Sequence, residues 1–536
     1  MDALLLMFRG SLLGSFVYSR FNGRILKYKE DHNDYVPDEK YVAETPSFAK
    51  DRSLSFSGSS TSVCPVQVTF DGPDDPENPY NWPLPVKVVV GLCIALMSCF
   101  NYTTSSIYSP TAEIIREEFG VSEAKSYLPL TVFVYGYGLA PMIFSPLSEH
   151  PKIGRNFLYV TTLFFFFILQ IPTALVNNFA GLCVLRFISG LFLSPITANG
   201  GASFVDMFAQ PYAPHAMAYW GTTGYMGLAI GPLLGACMLK ATNNWRWIYW
   251  FLLIVSGFLF LIFLCFVPET YTLAILHRKA ERLKRVTGNY NLSIYKEGQS
   301  EITSFSPREM FWRPFVIGFT EPVVLLINIY ISLVYAIIYA WLEAFPIVFG
   351  SEVHDFASIP AQLPYLSVFT GSILGVALYS SMLYRPYTLQ LLANKDIHPE
   401  VFMPVCIVGS LFMPIGLFIF GWTSAKDINW FPPLIGGVFY GIAGIILFQA
   451  LLSYIAFSFP RYVASAFATN GLVKALVAGS FPLFSRRLFI NLHNKRFPVA
   501  WGSTVLGVIS VIMILIPVLF YLNGKKLRAH SKYAGF

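Results

Sequence analysis

Apolar residues in this chain come in long unbroken blocks, neither alternating with polar ones nor confined to a helical stripe. The blocks fall at roughly 86–106, 127–147, 157–177, 180–200, 216–239 and 246–267, and then, beyond a polar stretch, at roughly 321–345, 362–384, 402–422, 431–454, 463–485 and 498–522. Each is close to the ~20 residues an α-helix needs to cross the hydrocarbon core of a bilayer. In lipid, backbone amides must be satisfied within the segment or around a closed barrel. These blocks are about twice as long as a barrel strand. They predict an all-α polytopic membrane protein with twelve transmembrane helices in two six-helix bundles.

The polar stretches set the domain boundaries. Residues 1–84 form a tail expected to be cytoplasmic and largely disordered, with a Ser/Thr-rich run from Ser53 to Ser62 and a proline-rich close from Asp71 to Pro83. Residues 85–267 make the first bundle, 268–320 a central cytoplasmic loop, 321–522 the second bundle and 523–536 a cytoplasmic tail. The opening stretch, Met1 to Phe16, is interrupted by Asp2 and Arg9 and reads as a basic amphipathic segment rather than a cleaved signal.

Composition supports the membrane reading. The chain is 55% hydrophobic and only 12% charged, against about 25% charged for an ordinary soluble domain. Its mean hydropathy is +0.55. The net charge of +7 does not point to nucleic acid, because the excess sits in loops and the C-terminal tail. The central loop carries Arg278, Lys279, Arg282, Lys284, Arg285, Lys296, Arg308 and Arg313, and the tail carries Lys525, Lys526, Arg528 and Lys532. This bias places both termini in the cytoplasm; the exception is the last loop on the other side, with Arg486, Arg487, Lys495 and Arg496. Of seven cysteines, six fall in predicted spans and Cys64 in the tail. Without a CxxC pair this is neither a disulfide framework nor a metal site, and no metal is expected. The chain has no nucleophile–base arrangement, so it is not expected to be an enzyme. It also lacks the GxxxxGK[ST] phosphate loop. Active transport would therefore draw on an ion gradient, with no cofactor.

Several residues carry candidate mechanism. The loop after the second span, Ser145 to Asn156, contains Glu149, Gly154 and Arg155. A carboxylate facing an arginine across a tight turn can latch neighbouring helices in one state, although an exposed pair is worth little. Arg186 lies about two turns inside the fourth span, where a charge costs a few kcal/mol. It either faces a wet cavity or a partner, or it snorkels to the nearer interface. The fifth span carries Gly221, Gly224, Gly227, Gly231, Pro232 and Gly235, a groove into which another helix can pack backbone to backbone. Asn328, Ser332, Tyr335, Tyr339 and Glu343 share one face of the seventh span, and Asn470 and Lys474 share one face of the eleventh. Such polar faces line a cavity or hydrogen-bond between helices. Trp220 and Tyr225 are candidate aromatic walls.

These residues resemble the twelve-span drug:proton antiporters of the major facilitator superfamily, in the fungal multidrug-resistance branch that includes fluconazole and benomyl exporters. The similarity covers nearly the whole chain. It is carried by Asp71-Gly-Pro-Asp-Asp-Pro-Glu-Asn-Pro79, Pro146-Leu-Ser-Glu149, Leu185-Arg186-Phe187, Trp245-Arg246-Trp247, Pro268-Glu269-Thr270, Glu321 to Asn328, and the tail from Pro498 to Tyr533. The resemblance implies plasma-membrane efflux of small, mostly apolar xenobiotics by a monomer, in exchange for protons. It associates Arg186 with proton coupling and matches Gly227, Gly231, Pro232 and Gly235 to the antiporter motif, with Ala236 in place of its last glycine. The loop after the second span departs from the family's switch motif. Glu149 stands where Asp is usual, His150 where Arg is usual and Ser145 where Gly is usual, although Glu149 and Arg155 can still pair. Asp206, Glu149 and Glu343 are candidates, in no order, for a titrating acid near Arg186, and Asp206 is grouped with Arg186 for proton coupling. The competing expectation is a transporter of one specific metabolite, such as a vitamin or polyamine, on the same fold.

Overall fold

A computed structural model describes residues 3–21, 23–42, 66–294, 307–350, 353–459, 463–492, 494–529 and 531, and the structural statements below concern those residues. The Ser53–Ser62 run, Cys64 and Lys296 lie outside them.

Ten helices in the described residues are long and apolar enough to cross a membrane, and Ser465–Leu483 with Ser485–Asn491, bent by 47°, makes an eleventh. The predicted fourth span is present as two pieces, Phe179–Leu193 and Pro195–Met207. It breaks at Ser194 because Pro195 has no N–H to donate and sits at the start of the second piece. Proline also opens other spans: Pro129 lies in the first turn of the second, Leu128–Ser148, and Pro322 in that of the seventh, Pro322–Phe349. Asn243, left-handed at φ 52°, ends the fifth span, Ala213–Thr242, by donating its N–H to the Leu239 carbonyl at 2.8 Å.

One apolar core runs through both halves. The seventh span is buried over 78% of its most apolar stretch, whereas the sixth, Arg246–Phe266, and the twelfth, Ala500–Ala529, are buried over only 33% and 28%. The seventh is therefore central, and the other two lie on the periphery.

The described parts of the first 84 residues correct the expectation of a largely disordered tail. Helices Ala3–Gly10 and Leu12–Arg20 pack on the first, third and sixth spans. Residues 23–42 and 66–82 dock on an amphipathic helix of the central loop, Thr272–Thr287. Strand β1, Val66–Gln67, pairs in parallel with β2, Leu292–Ser293. Tyr41, Val68, Leu276, Leu283 and Leu292 form a small second core beneath them. Charge pairing explains the order. Lys279, buried, meets Asp71 at 2.5 Å and Asp75 at 3.2 Å, and Arg282 meets Glu30 at 3.2 Å and Glu77 at 2.7 Å. The C-terminal tail is also shorter than expected, since helix continues to Ala529. There Arg528 is buried against Glu400 at 2.5 Å and the Tyr454 hydroxyl at 3.0 Å.

Candidate functional site

The site is built where the two six-helix halves meet, and the seventh span supplies its axis. Its Tyr339 hydroxyl lies 3.0 Å from Ser105 Oγ at the far end of the first span, Leu84–Ser106. The Tyr335 ring faces Tyr225 of the fifth span, with centroids 6.2 Å apart, and the Lys474 ammonium sits 4.2 Å above Tyr335 and 5.0 Å from the Phe448 ring. Tyr225 also lies against Gly444 of the tenth span, Phe431–Ser458. Tyr225, Tyr335, Tyr339 and Lys474 are thus brought together. Asn470 donates to Asn328 at 2.9 Å, a bond internal to the second half.

Glu343 stands one turn beyond Tyr339 and is 1% exposed, and the group that faces its carboxylate is the Tyr127 phenol of the first half. Trp220 departs from expectation. Its indole lies over Gly200 of the fourth span, so close that a Cβ at Gly200 would stand 2.9 Å from the ring. It packs inside the first half rather than lining the junction.

Arg186 does not snorkel. It is 1% exposed, donates from Nη2 to the Thr104 carbonyl at 3.1 Å and from Nε to the Pro129 carbonyl at 3.4 Å, and its guanidinium sits 4.3 Å from the Phe133 ring centroid. Among the described residues no carboxylate lies within ion-pair distance of it. Thr104 is adjacent to Ser105, so the arginine and the polar face of the seventh span meet on consecutive residues of the first span.

Asp206 is not beside Arg186. It lies twenty residues on along the fourth span, about 30 Å at 1.5 Å per residue, and pairs with Arg155 at 3.2 Å. Glu149 is exposed and makes no ion pair with Arg155. The carboxylates that this loop meets are instead Asp206 and Glu269. The Glu269 carboxylate accepts the N–H groups of Arg155 at 3.0 Å and Asn156 at 3.2 Å, at the start of the third span, Gly154–Leu175. Gly154 is required there: its φ is +75°, and a Cβ would collide with the Glu269 carboxylate.

The glycine run of the fifth span packs against the first span as its spacing predicts. A Cβ at Gly231 would stand 2.9 Å from the Thr103 carbonyl and one at Gly235 would stand 2.5 Å from the Ile107 carbonyl, while Thr103 and Ser106 hydroxyls donate to the Gly227 carbonyl at 3.3 Å.

Contacts join the halves at both ends. At the end that carries the termini, His215 Nε2 lies 2.8 Å from Thr388 Oγ1, Tyr387 donates to the Gln210 carbonyl at 3.0 Å, and Gln449 donates to the Met217 carbonyl at 3.1 Å. At the opposite end Arg486 pairs with Glu123 at 2.7 Å and Tyr135 meets Ser480 at 2.6 Å. Two of the four unexpected basic residues of that end therefore have acidic partners, since Arg496 likewise pairs with Asp427 at 2.6 Å. Sequence reasoning missed Ser105, Phe448, Gln449 and Glu269. A signal for the first existed in the polar run Asn101-Tyr-Thr-Thr-Ser-Ser106 inside an apolar span. Among the described residues no three His, Cys, Asp or Glu side chains gather to hold a metal.

Residues 94–482 match the model of the Major Facilitator Superfamily. The cycloheximide resistance protein of Candida maltosa is 44% identical, covering 98% of this chain and 99% of that protein. Fluconazole resistance protein 1 of Saccharomyces cerevisiae is 39% identical over 88% of this chain and 85% of its own length. Among solved structures, the proton:xylose symporter bound to 6-bromo-6-deoxy-D-glucose superposes with a TM-score of 0.56 at 15% identity, over 81% of this chain and 96% of that one. The human organic anion transporter MFSD10 gives 0.54 at 15% identity, over 82% and 99%. At that identity the two structures speak to fold alone. With its central span buried between two six-helix halves and relatives of this identity along nearly its whole length, the chain belongs to the major facilitator superfamily.

Proposed function

We propose that the protein is a proton-coupled antiporter that exports drugs and other small, mostly apolar xenobiotics across the plasma membrane, with both termini in the cytoplasm and no cofactor beyond the proton gradient. The observation that carries this reading is the direction of the seventh span's polar aromatic face. Tyr335 and Tyr339 point at the first half, against Tyr225 and Ser105, rather than at lipid. A junction walled by aromatic rings suits varied apolar cargo, because burial and stacking ask for little fixed geometry. The names of the fungal relatives, resistance proteins for cycloheximide and fluconazole, support export of toxic compounds.

Transport follows alternating access, with the halves rocking about this junction. The contacts His215–Thr388 and Gln449–Met217 close the cytoplasmic side, and Glu123–Arg486 closes the outer side. Arg155, Asp206 and Glu269 tie the cytoplasmic ends of the third, fourth and sixth spans into one rigid group that must move together. Glu343 is the acid this reading assigns to the proton. An ionised carboxylate faced only by a neutral phenol, that of Tyr127, is costly in such buried surroundings, so in this reading Glu343 holds a proton. Tyr339, one turn before it on the same span, meets Ser105, whose neighbour Thr104 accepts from Arg186. The chain works as a monomer, since both walls of the junction come from one polypeptide.

The test is export of a panel of structurally unrelated toxicants from cells expressing the protein, with and without a proton uncoupler. Broad efflux that collapses with the uncoupler is the expected result. An effect confined to one compound class would instead favour a specific metabolite transporter, and gradient-independent flux would remove the proton.

A further inference from the structure

The helix pair Ala3–Gly10 and Leu12–Arg20 has two apolar sides. The inner side belongs to the membrane core: Met7 is buried in the same apolar cluster as the spans, and Leu6 and Leu12 pack against it. Gly10 lies on Pro268, so close that a Cβ would stand 2.8 Å from the proline Cβ, and its carbonyl accepts the Glu269 N–H at 3.1 Å. Among the described residues the outer side is unpaired. Leu4 is 68% exposed, Leu5 45% and Phe16 66%, and Phe21 follows at 49%.

What covers that side follows from its neighbours and its charge. The helices pack on the third and sixth spans, whose outward Phe157 and Phe266 are exposed at the same end of the bundle. The outer side of the helix pair therefore continues the lipid-facing belt of those spans. Residues 3–29 contain Arg9, Arg20, Arg24, Lys27 and Lys29 and no acidic residue. Arg20, Arg24, Lys27 and Lys29 are exposed, and among the described residues none of them forms an ion pair. The first carboxylate after them, Glu30, is buried and taken by Arg282.

We propose that the helix pair is an interfacial anchor lying in the plane of the membrane. Leu4, Leu5, Phe16 and Phe21 sit among acyl chains, and the cations from Arg20 to Lys29 rest on anionic phospholipid headgroups. Neither an apolar face nor a basic cluster alone holds firmly to a bilayer; the two together do. The anchor does not depend on what is transported. It does attach the bilayer surface, through Gly10, to the residue Glu269 that caps the third span.

The test uses the full chain, with its seven cysteines replaced, carrying one bimane-labelled cysteine and reconstituted in phosphatidylcholine vesicles with or without phosphatidylserine. Phe16→Cys is the reporter, and Tyr290→Cys, at a residue 83% exposed on the central loop, is the control. Bromine-labelled lipid should lower fluorescence at Phe16→Cys roughly twofold or more and leave Tyr290→Cys unchanged. Phosphatidylserine should strengthen the effect, and the pair Arg20→Glu and Arg24→Glu should abolish that gain. Equal quenching of both positions by aqueous iodide, with none by bromolipid, would overturn the anchor and leave the face to a protein partner. Bromolipid quenching indifferent to phosphatidylserine would overturn the anionic-lipid assignment.

Discussion

A single arginine shows how much one residue's surroundings decide. Arg186 is held by two carbonyls from different spans and by the face of Phe133. A planar fork fits that setting, and an ammonium, with its compact charge, does not. Arg186→Lys is therefore expected to cut export by roughly tenfold while the protein reaches the membrane in normal amount. Labelled-drug efflux normalised to surface protein checks this, and unimpaired efflux would take Arg186 out of the mechanism. Asp75, where the N-terminal segment docks on the central-loop helix, offers a second residue-scale prediction. Burial alone would push its carboxyl up, but N–H groups of Asp71 and Glu77 and the Lys279 ammonium hold it below the usual carboxylate range. A carboxyl held low stabilises the docked segment above the ordinary aspartate value of about 3.9 and loses that contribution as pH falls further. Amide exchange across residues 70–82 should stay slow at neutral and mildly acid pH and quicken below that value. Asp75→Asn should flatten this acid limb.

At the scale of the element, the fifth span shows why small residues recur at every fourth position. Gly227, Gly231 and Gly235 let its backbone meet the first span at carbonyl contact. Gly231→Leu must push the two helices apart; overpacking of this kind costs about 1–3 kcal/mol. The measurable outcome is a lower melting temperature in detergent together with lost transport, whereas Gly231→Ala should be milder. The fourth span carries a different lesson. Its break at Ser194–Pro195 lets the apolar stretch continue to Met207 and brings Asp206 to Arg155.

For the whole molecule, the halves touch at both ends, and in the proposed alternating-access cycle an outer gate that must open cannot be held strongly. Glu123 and Arg486 are both partly exposed, so their pairing adds little to overall stability. Its contribution lies in the balance between states. Glu123→Arg should favour the outward-open arrangement and raise labelling of a cysteine placed beside Tyr339 from the outer side. Adding Arg486→Glu should restore both labelling and transport toward the starting level. Labelling that ignores both changes would remove this pair from the gate.

Hydrophobic block length by itself determined the all-helical class, the two sets of six and most boundaries, because a helix in lipid must satisfy its own amides over a fixed thickness. The glycine spacing likewise determined which face of the fifth span packs. The tertiary structure decided the pairings. A formal charge in a sequence does not say which opposite charge it will meet, so proximity along the chain matches Arg155 with Glu149 whereas folding gives it Asp206. The same holds for the described parts of the first 84 residues. Their composition resembles a disordered tail until Glu30, Asp71, Asp75 and Glu77 find Lys279 and Arg282, some two hundred residues away. Low hydrophobicity reports only what a segment can bury by itself, and here the partner surface lay elsewhere in the chain.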